Sequence, residues 1–358
     1  MADVIVVGAG PAGSTTARHI ASHGLEVLVL DKREEIGRPV QCGELLASRE
    51  EVLQIFPRSR GLDELDTVPL ENVQRRFERL RILTPKGREY LIPFTGFTVN
   101  RDDLDKHWVS LAEKAGAEIR TGVVVEGLSG SEVITDQGRY NAKVIVGADG
   151  PTSIVATSAN LKTPSSLSPA LTCQVEGNFE PVAEMHFGSL APGGYAWIIP
   201  KKKSANVGLG VWDRARSNGV RALFNDFITR RGFAPHSIAG GLVPMSGPVA
   251  KTVSKNVLIV GDAAGHVIPT NGGGVNVALI CGRIAGECIA ANLLRNEPLQ
   301  RYEERWRAVV GHPLTIGLKT KRLADKFFGS DRRLELAMRI MGKKGMGRAI
   351  RCKRIFRG

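Results

Sequence analysis

A glycine-rich turn stands near the start of this chain, between a short apolar run and a helical segment. Residues 3–7 are mostly β-branched and predict a strand, the hexapeptide GAGPAG follows at once, and residues 14–24 predict a helix that ends at a glycine. A second apolar run, residues 26–30, ends at Asp31. This order predicts a βαβ unit whose glycines permit a tight turn, the approach of a pyrophosphate, and close packing of helix on strand.

A second glycine turn lies far down the chain, after another predicted strand. Residues 260–265 have the sequence VGDAAG, and glycines occupy positions 272–274. Asp262 can accept a hydrogen bond from a ribityl hydroxyl. The helix that starts near Val275 can direct the positive end of its dipole at the pyrimidine edge of a flavin. A nicotinamide dinucleotide needs no such second contact, so the two turns together predict FAD.

Three motifs carry a resemblance to a known superfamily. GAGPAG at the start, GADG at residues 147–150 and GDAAG followed by GGGV near the end resemble the group A flavoprotein hydroxylase-like FAD proteins over roughly residues 1–295. Within it, PVQCGE at residues 39–44 and PGGYAWIIP at residues 192–200 are similar to the geranylgeranyl reductase family. The most similar members are the archaeal enzymes that saturate the isoprenoid chains of digeranylgeranylglycerophospholipids.

The resemblance implies a set of FAD contacts. They are Gly8, Gly10, Ala12 and Gly13 at the pyrophosphate, Asp31 at the adenosine ribose, Cys42, Gly43 and Leu45 along the flavin, Arg101 near the pyrophosphate, Val124 by the adenine, and Asp262, Gly274 and Val275 at the isoalloxazine ring. The chain departs from the family in having Leu45 where glycine is common. It also lacks the arginine that usually follows the middle motif, which weakens any prediction of nicotinamide binding there.

The reduction of an isolated C=C bond needs a hydride at one carbon and a proton at the other. Reduced flavin supplies the hydride from N5, and the protein must hold the alkene and exclude water. Tyr195 and Trp197 alternate on a predicted strand that ends at Pro200. These residues are the candidates for the wall of a prenyl channel, with ordinary sheet core as the alternative.

Three side chains are candidates for the proton or for contact with the flavin. Cys42 is the candidate catalytic residue, with packing or tuning of the flavin as the alternative. Glu44 is either a proton source or a solvated loop carboxylate. His266 lies either beside the flavin or in a structural loop. No Ser-His-Asp arrangement or metal cluster in the sequence supports hydrolysis.

The order of predicted elements indicates an α/β protein with a discontinuous nucleotide domain. We expect a Rossmann-like FAD-binding domain, an inserted antiparallel-sheet substrate domain and a helical C-terminal segment. The expected boundaries are residues 1–163 for the first part of the FAD-binding domain with a small inserted segment near 66–98, 164–249 for the substrate domain, 250–297 for the second part of the FAD-binding domain, and 298–358 for the basic helical segment.

The formal net charge of +13 is concentrated at the end of the chain. Residues 318–358 carry 14 Lys/Arg against 3 Asp/Glu, with apolar residues up to Phe356 interleaved among them. A basic amphipathic segment of this kind predicts contact with anionic lipid. A helical pair packed on the body with solvated charges is the alternative. Sparse aromatic residues argue against nucleic acid as a partner.

The remaining features bear on location. No basic and apolar leader precedes the first predicted strand, and the most apolar stretch, residues 275–294, is interrupted by Arg283 and Glu287. The five cysteines are scattered without disulfide or metal-site spacing. We therefore expect a cytoplasmic protein that is peripheral at the inner face of the membrane.

Three functions remain open on the sequence. The favoured one is an FAD-dependent reductase that saturates the geranylgeranyl double bonds of membrane-lipid precursors. The alternatives are a monooxygenase of aromatic or polyprenyl substrates, which shares the fold, and a flavin-binding electron-transfer or sensor protein. The reductase needs a prenylated lipid and an external electron donor, for which NADPH, ferredoxin and a deazaflavin are all open.

Overall fold

The computed structural model describes residues 2–59, 63–212 and 219–355. Strands in these ranges form two eight-stranded sheets, one in each of two lobes. The strands are β1 (Ala2–Val7), β2 (Val27–Leu30), β3 (Leu45–Ala47), β4 (Val73–Leu83), β5 (Glu89–Val99), β6 (Glu118–Arg120), β7 (Val125–Ser129), β8 (Glu132–Thr135), β9 (Gly138–Gly147), β10 (Leu167–Glu176), β11 (Ala183–His186), β12 (Tyr195–Pro200), β13 (Ser204–Gly210), β14 (Ile238–Pro244), β15 (Val253–Ser254) and β16 (Val257–Ile259). The helices are α1 (Pro11–Ala21), α2 (Arg49–Ile55), α3 (Asp63–Asp66), α4 (Arg101–Lys114), α5 (Ile154–Ser158), α6 (Val220–Arg230), α7 (Val275–Arg295), α8 (Arg301–Trp306), α9 (His312–Ala324) and α10 (Asp331–Ile350).

The first sheet has a parallel centre. Its main path is β15-β16-β9-β1-β2-β6, and β1 pairs in parallel with both β2 and β9. Val4 and Val6 of β1 lie in one buried cluster, whereas Ile5 and Val7 lie in another. Because successive side chains of a strand point to opposite faces, both faces of this sheet are covered, as is usual for parallel sheets. The predicted Rossmann-like lobe is confirmed.

Helix α7 follows the second glycine turn and lies against α1, the helix that follows the first. It begins at Val275, as expected, and it packs on α1 through a glycine. A Cβ at Gly282 would come within 2.7 Å of the Ala12 carbonyl oxygen, and Thr16 donates a 3.1 Å hydrogen bond to the Gly282 carbonyl. In the part of the chain that the structure describes, α7 alone is long and apolar enough to cross a bilayer, but 72% of its most apolar window is buried inside the protein. The apolar residues of α7 are therefore explained by its place in the buried core of the lobe.

The second sheet includes the small inserted segment. Its order is β14-β10-β13-β12-β11-β4-β5-β3, so β4 and β5, from the segment near residues 66–98 that interrupts the first part of the FAD-binding domain in sequence, pair within this sheet. The expected domain boundaries stay predictions. β4 and β5 form a long hairpin, and Phe77 and Leu80 of β4 pack against Trp197 of β12. The apolar residues of the hairpin thus share one buried cluster with β12 of the same sheet. The β4–β11 pair is parallel, so the sheet is not wholly antiparallel.

The C-terminal segment is helical, as predicted. A wide helical turn over residues 307–311 joins α8 to α9, and a short connection leads to α10. Leu334 and Met338 of α10 pack against Ile92 of β5, so the segment covers the hairpin of the second lobe. Phe356 lies outside the described residues.

Candidate active site

The first glycine turn has three different environments at its three glycines. Gly8 has a φ of +100°, and a Cβ there would lie 2.3 Å from the Ala148 carbonyl oxygen. A Cβ at Gly13 would lie 1.8 Å from the Gly8 carbonyl oxygen, whereas a Cβ at Gly10 would meet nothing within 4 Å. The outer glycines are thus required by the protein's own packing. Gly10 faces open space at the N-terminus of α1, which has no side-chain cap and leaves N–H groups for an anion.

Asp31 supports this turn from the end of β2. Its carboxylate accepts hydrogen bonds from the Ala9 N–H at 2.7 Å and from the Arg33 side chain at 2.8 and 2.7 Å. Burial raises the pKa of Asp31, but the hydrogen bonds and charge of Arg33 outweigh it and lower the pKa overall. The Val123 N–H donates to the Asp31 carbonyl, which places the exposed Val124 near the end of β2. Contacts of Asp31 with ribose and of Val124 with adenine stay predictions.

The second glycine turn adjoins the first. Gly261 has a φ of +66°, and a Cβ there would lie 2.7 Å from the Ala12 Cβ. Asp262 follows, and its Oδ1 lies 3.3 Å from the position of a Cβ at Gly274. Burial raises the pKa of Asp262 to about 6, although the charge of Arg101 lowers it. No described residue donates a hydrogen bond to this carboxylate. The carboxylate is therefore a buried acceptor without a protein donor among the described residues.

The loop that carries Cys42 lies on the second sheet. The position of a Cβ at Gly43 is 3.2 Å from Ile199 Cδ1 and 3.6 Å from Trp197 Nε1, so the loop backbone touches β12. Leu45 begins β3 and packs against the same cluster as Trp197. Cys42 is half-buried and is a free thiol. The structure thus brings the predicted flavin loop into contact with the predicted substrate strand.

Arg101 connects this loop to the second glycine turn. Its guanidinium forms a buried ion pair with Asp105 at 2.8 Å. It also interacts with the Cys42 sulfur and with the charge of Asp262. Burial lowers the pKa of Arg101, but Asp105 and Cys42 outweigh it and raise the pKa overall. The guanidinium is therefore a buried cation whose charge acts on both Cys42 and Asp262. Its predicted contact with the pyrophosphate stays a prediction.

Glu44 is a buried acceptor, so its interpretation as a solvated loop carboxylate is wrong. It is 1% exposed, and one carboxylate oxygen accepts a 2.9 Å hydrogen bond from the backbone N–H of Arg101. The other oxygen accepts from Gln174 at 2.7 Å and Asn206 at 2.9 Å, and pairs with Lys201 at 2.5 Å. Every one of these partners donates to the Glu44 carboxylate. Glu44 therefore anchors the Cys42 loop to the second sheet.

Asn206 is a residue that the sequence analysis missed. It is fully buried on β13. Its Oδ1 accepts hydrogen bonds from Trp197 Nε1 at 2.7 Å and Thr172 Oγ1 at 2.8 Å, while its Nδ2 donates to the Cys42 carbonyl and to Glu44, each at 2.9 Å. An asparagine between the apolar residues 205 and 207 of a strand is the only sign of this role in the sequence.

Tyr195 reaches toward the second glycine turn from β12. Its hydroxyl donates a 2.5 Å hydrogen bond to the carbonyl of Asn271, just before α7. Its ring contacts Trp197 and Trp212 with centroids 5.9 and 5.8 Å apart. Pro200, at the end of β12, accepts through its carbonyl from buried Thr98. Pro200 therefore lies in the sheet framework, while Tyr195 and Trp197 lie beside the Cys42 loop.

Asp149 of the middle motif and His266 both contact elements of the protein framework. Asp149 accepts from the Ser153 hydroxyl at 2.6 Å and from backbone N–H groups at the start of α5, so it caps that helix. His266 is fully buried and lies 4.7 Å from the Trp306 ring, centroid to centroid. Burial lowers the pKa of His266 to about 3, which keeps the imidazole neutral. The structural interpretation of His266 fits this environment.

Other features of the described ranges lie away from these residues. A polar cavity of about 600 Å³ is lined by ion pairs of α7 and α8, among them Arg305 with Glu287, and shares no residue with the predicted site. No group of His, Cys, Asp and Glu within residues 2–59, 63–212 and 219–355 could hold a metal ion. The chemistry is therefore expected where the two glycine turns, the Cys42 loop and β12 meet.

Comparison with known proteins adds a family to this geometry. The model of the FAD binding domain family matches residues 1–313. Digeranylgeranylglycerophospholipid reductase 2 of Methanothermobacter thermautotrophicus is 34% identical, and the alignment covers 96% of this chain and 92% of that protein. The digeranylgeranylglycerophospholipid reductase of Methanocaldococcus jannaschii is 32% identical, over 95% of this chain and 90% of the relative.

Solved structures give the same picture of the fold. A geranylgeranyl bacteriochlorophyll reductase-like protein of Thermoplasma acidophilum superposes with a TM-score of 0.82 at 26% identity, covering 95% of this chain and 91% of that one. A flavin-dependent brominase superposes with a TM-score of 0.74 at 17% identity, covering 98% of this chain and 92% of the other. The second likeness concerns the fold alone.

Proposed function

Since the chain belongs to the digeranylgeranylglycerophospholipid reductase family of FAD-binding oxidoreductases, we propose that it saturates the isoprenoid C=C bonds of a membrane-lipid precursor. The chain is a flavin-dependent oxidoreductase acting on CH–CH groups, and the sequence predictions of family, cofactor and reaction class are confirmed. The monooxygenase alternative is less supported, because relatives at this level of identity are named as reductases.

Two observations test whether the residues fit FAD. The open space beside Gly10 leaves room for a pyrophosphate at the start of α1. Asp262, which has no protein donor among the described residues, offers an acceptor for a hydroxyl of the ribityl chain. Both therefore fit the cofactor, and bound FAD in its reduced form supplies the hydride.

The contact of the Cys42–Gly43 loop with Trp197 is the observation that carries the proposal. It supports a site where residues predicted to touch the flavin and residues predicted to hold the prenyl chain meet. Tyr195 and Trp197 would offer aromatic faces to an alkene and exclude water, since their polar atoms are already bonded to Asn271 and Asn206. Aromatic faces of this kind suit contact with an isoprenoid chain.

The second requirement is a proton for the other alkene carbon. We assign it to the Cys42 thiol, whose sulfur accepts a 3.2 Å hydrogen bond from the Glu44 N–H and lies beside Arg101. A nearby cation stabilises the thiolate that remains after the proton is given. The electrons of the C=C bond then close the balance, with hydride bonded to one carbon and the proton to the other.

The test uses detergent-dispersed digeranylgeranyl lipid and photoreduced, FAD-loaded protein without oxygen. We expect the flavin to reoxidise and the lipid to gain H₂ for each bond reduced, measured by absorbance and mass spectrometry. Persistence of reduced flavin together with unchanged lipid mass would refute the proposal. A parallel incubation with NADPH in air tests the monooxygenase, which would consume oxygen and form an oxygenated lipid.

Two further parts of the proposal concern partners and place. An external donor must reduce the flavin again, and NADPH, a ferredoxin and a deazaflavin stay open. We propose that the protein works in the cytoplasm, peripheral at the inner face of the membrane. The free state of all five cysteines and the basic C-terminal segment support this location.

A further inference from the structure

The outer side of α10 exposes two aliphatic residues. Leu336 is 57% exposed and Ile340 is 64% exposed, whereas Leu334 and Met338 on the opposite side are buried against the second lobe. At 3.6 residues per turn, Leu336 and Ile340 lie on one stripe of the helix. This stripe is the centre of the α10 outer face, which we define as Arg332, Arg333, Leu336, Arg339 and Ile340.

The charges of α10 are sorted by side. Arg332, Arg333 and Arg339 are exposed and make no ion pair within the described ranges. The two acidic residues of the helix point at the body instead: Asp331 accepts from Ser189, and Glu335 accepts from the Lys86 N–H. Solvated salt-bridged helices normally mix both signs on the exposed side. The α10 outer face therefore presents positive charge around apolar side chains, without compensating carboxylates.

The positive charge continues past the end of this face. Gly342 has a φ of 56° and a non-helical backbone, so α10 bends there. Lys343 and Lys344 follow directly and are exposed. A bent helix with bases on both sides of its apolar stripe matches the form of an interfacial helix.

A second apolar opening lies in the same segment. A groove of about 300 Å³ runs along α9, with Ile316, Leu323 and Ile355 in its walls and Lys319 and Arg354 at its sides. Leu323 is 45% exposed. The groove repeats the combination of aliphatic surface and basic rim found on α10. Acyl or isoprenoid chains flanked by phosphate groups are complementary to both.

Ring contacts connect this segment to the predicted substrate strand. Phe328, between α9 and α10, lies 6.4 Å from Phe187, and Phe187 lies 5.6 Å from Tyr195, centroid to centroid. Tyr195 is the residue that also binds Asn271 beside the second glycine turn. The segment with the basic, apolar surface is thus two ring contacts away from the site predicted to hold the prenyl chain.

We infer that the α10 outer face is the surface on which the protein docks on an anionic lipid bilayer. This inference rests on the proposed function for its choice of partner, because a prenylated phospholipid substrate resides in such a bilayer. Leu336 and Ile340 enter the interfacial region, and the arginines and lysines contact lipid phosphates. The docked protein then holds the Phe328 junction at the lipid surface, where a prenyl chain starts its path to β12.

The experiment is co-sedimentation of FAD-loaded protein with vesicles. We expect strong binding to phosphatidylcholine vesicles that contain phosphatidylglycerol and weak binding to phosphatidylcholine alone. The double variants Leu336→Ser with Ile340→Ser, and Arg332→Glu with Arg339→Glu, should each lower binding to anionic vesicles by at least about tenfold. Added salt should weaken binding of the wild type.

A charge-matched control variant distinguishes an effect of the α10 outer face from an effect of the protein's total net charge. Lys114→Glu with Lys162→Glu reverses two exposed lysines elsewhere on the chain and should bind almost like the wild type. The inference is overturned by wild-type protein that stays in the supernatant, by α10 variants that bind normally, or by a control that loses as much binding as they do. No reduction occurs in this assay, so its outcome is independent of the detergent-based test of the reaction. The flavin-to-protein absorbance ratio checks that each variant is folded.

Discussion

Asn206 donates a 2.9 Å hydrogen bond from Nδ2 to the backbone carbonyl of Cys42. The opposite end of the same amide accepts from the Trp197 indole at 2.7 Å. Because an indole N–H can only donate, this contact fixes the orientation of the amide. One buried side chain thus sets the distance between the Cys42 loop and the predicted substrate strand, although it belongs to neither.

Replacement of Asn206 by leucine should disturb both the fold and the reaction. The change leaves Trp197 Nε1, the Cys42 carbonyl and Glu44 without a shared partner, and each buried unpaired group costs about 1–3 kcal/mol. We expect a loss of about 3 kcal/mol in the free energy of unfolding, measured with urea. The milder Asn206→Gln, which keeps an amide donor and acceptor on a longer side chain, should keep the fold but lower kcat more than it changes KM. Asn256→Ala, which removes a 3.3 Å surface contact, is the control. Normal kcat in both Asn206 variants would remove the residue from any positioning role.

The first glycine turn allows fold and cofactor binding to be separated. A side chain at Gly10 meets no protein atom within 4 Å, whereas one at Gly13 would collide with the Gly8 carbonyl. Gly10→Val should therefore keep the melting temperature of the FAD-free protein but weaken FAD binding by about 100-fold, or about 2.7 kcal/mol. Gly13→Val should prevent folding. Gly219→Ala, also in open space at a helix start, should change neither. An FAD affinity unchanged in Gly10→Val would show that the pyrophosphate lies elsewhere.

Asp262 should make the FAD-free protein depend on pH. Burial raises the pKa of Asp262 to about 6 from an ordinary value of 3.8. The folded state therefore binds the proton more tightly than the unfolded state, and the resulting stability is present below about pH 4 and is lost as the pH rises through about 6. Asp262→Asn should flatten this part of the melting-temperature profile and be the more stable form near neutral pH. The surface change Asp226→Asn should leave the profile as it is. A wild-type profile without this slope would contradict the prediction.

The proposed role of Cys42 as proton donor can be tested by the rate of flavin reoxidation. If its thiol gives the proton, Cys42→Ala should slow reoxidation of photoreduced flavin by lipid about 100-fold, a typical contribution of a general acid. FAD content should stay normal. Cys173→Ala replaces another thiol, which is buried in the second lobe, and serves as the control. A Cys42→Ala rate equal to that of the wild type would leave Cys42 with a packing role only.

The sequence by itself determined the nucleotide-binding lobe, because the features that define this lobe depend on residues close together in the chain. The turn at Gly8, the helix after Gly10 and the start of α7 at Val275 depend on backbone freedom and short-range periodicity. The charge of the C-terminal segment is likewise a property of composition. These features were predictable from neighbouring residues, and so was the need for a second glycine turn to hold a flavin.

Only the tertiary structure decided what contacts what across the lobes. The hairpin of β4 and β5 lies far from β11 in sequence, and nothing local shows that Leu80 pairs with Ala183. Glu44 looks like a loop residue until Lys201 and Asn206 are brought to it from the second sheet. Hydrogen bonds between buried polar groups depend on where distant strands cross. The sequence therefore supplied the predicted cofactor contacts, whereas the fold supplied the framework that holds the Cys42 loop against β12.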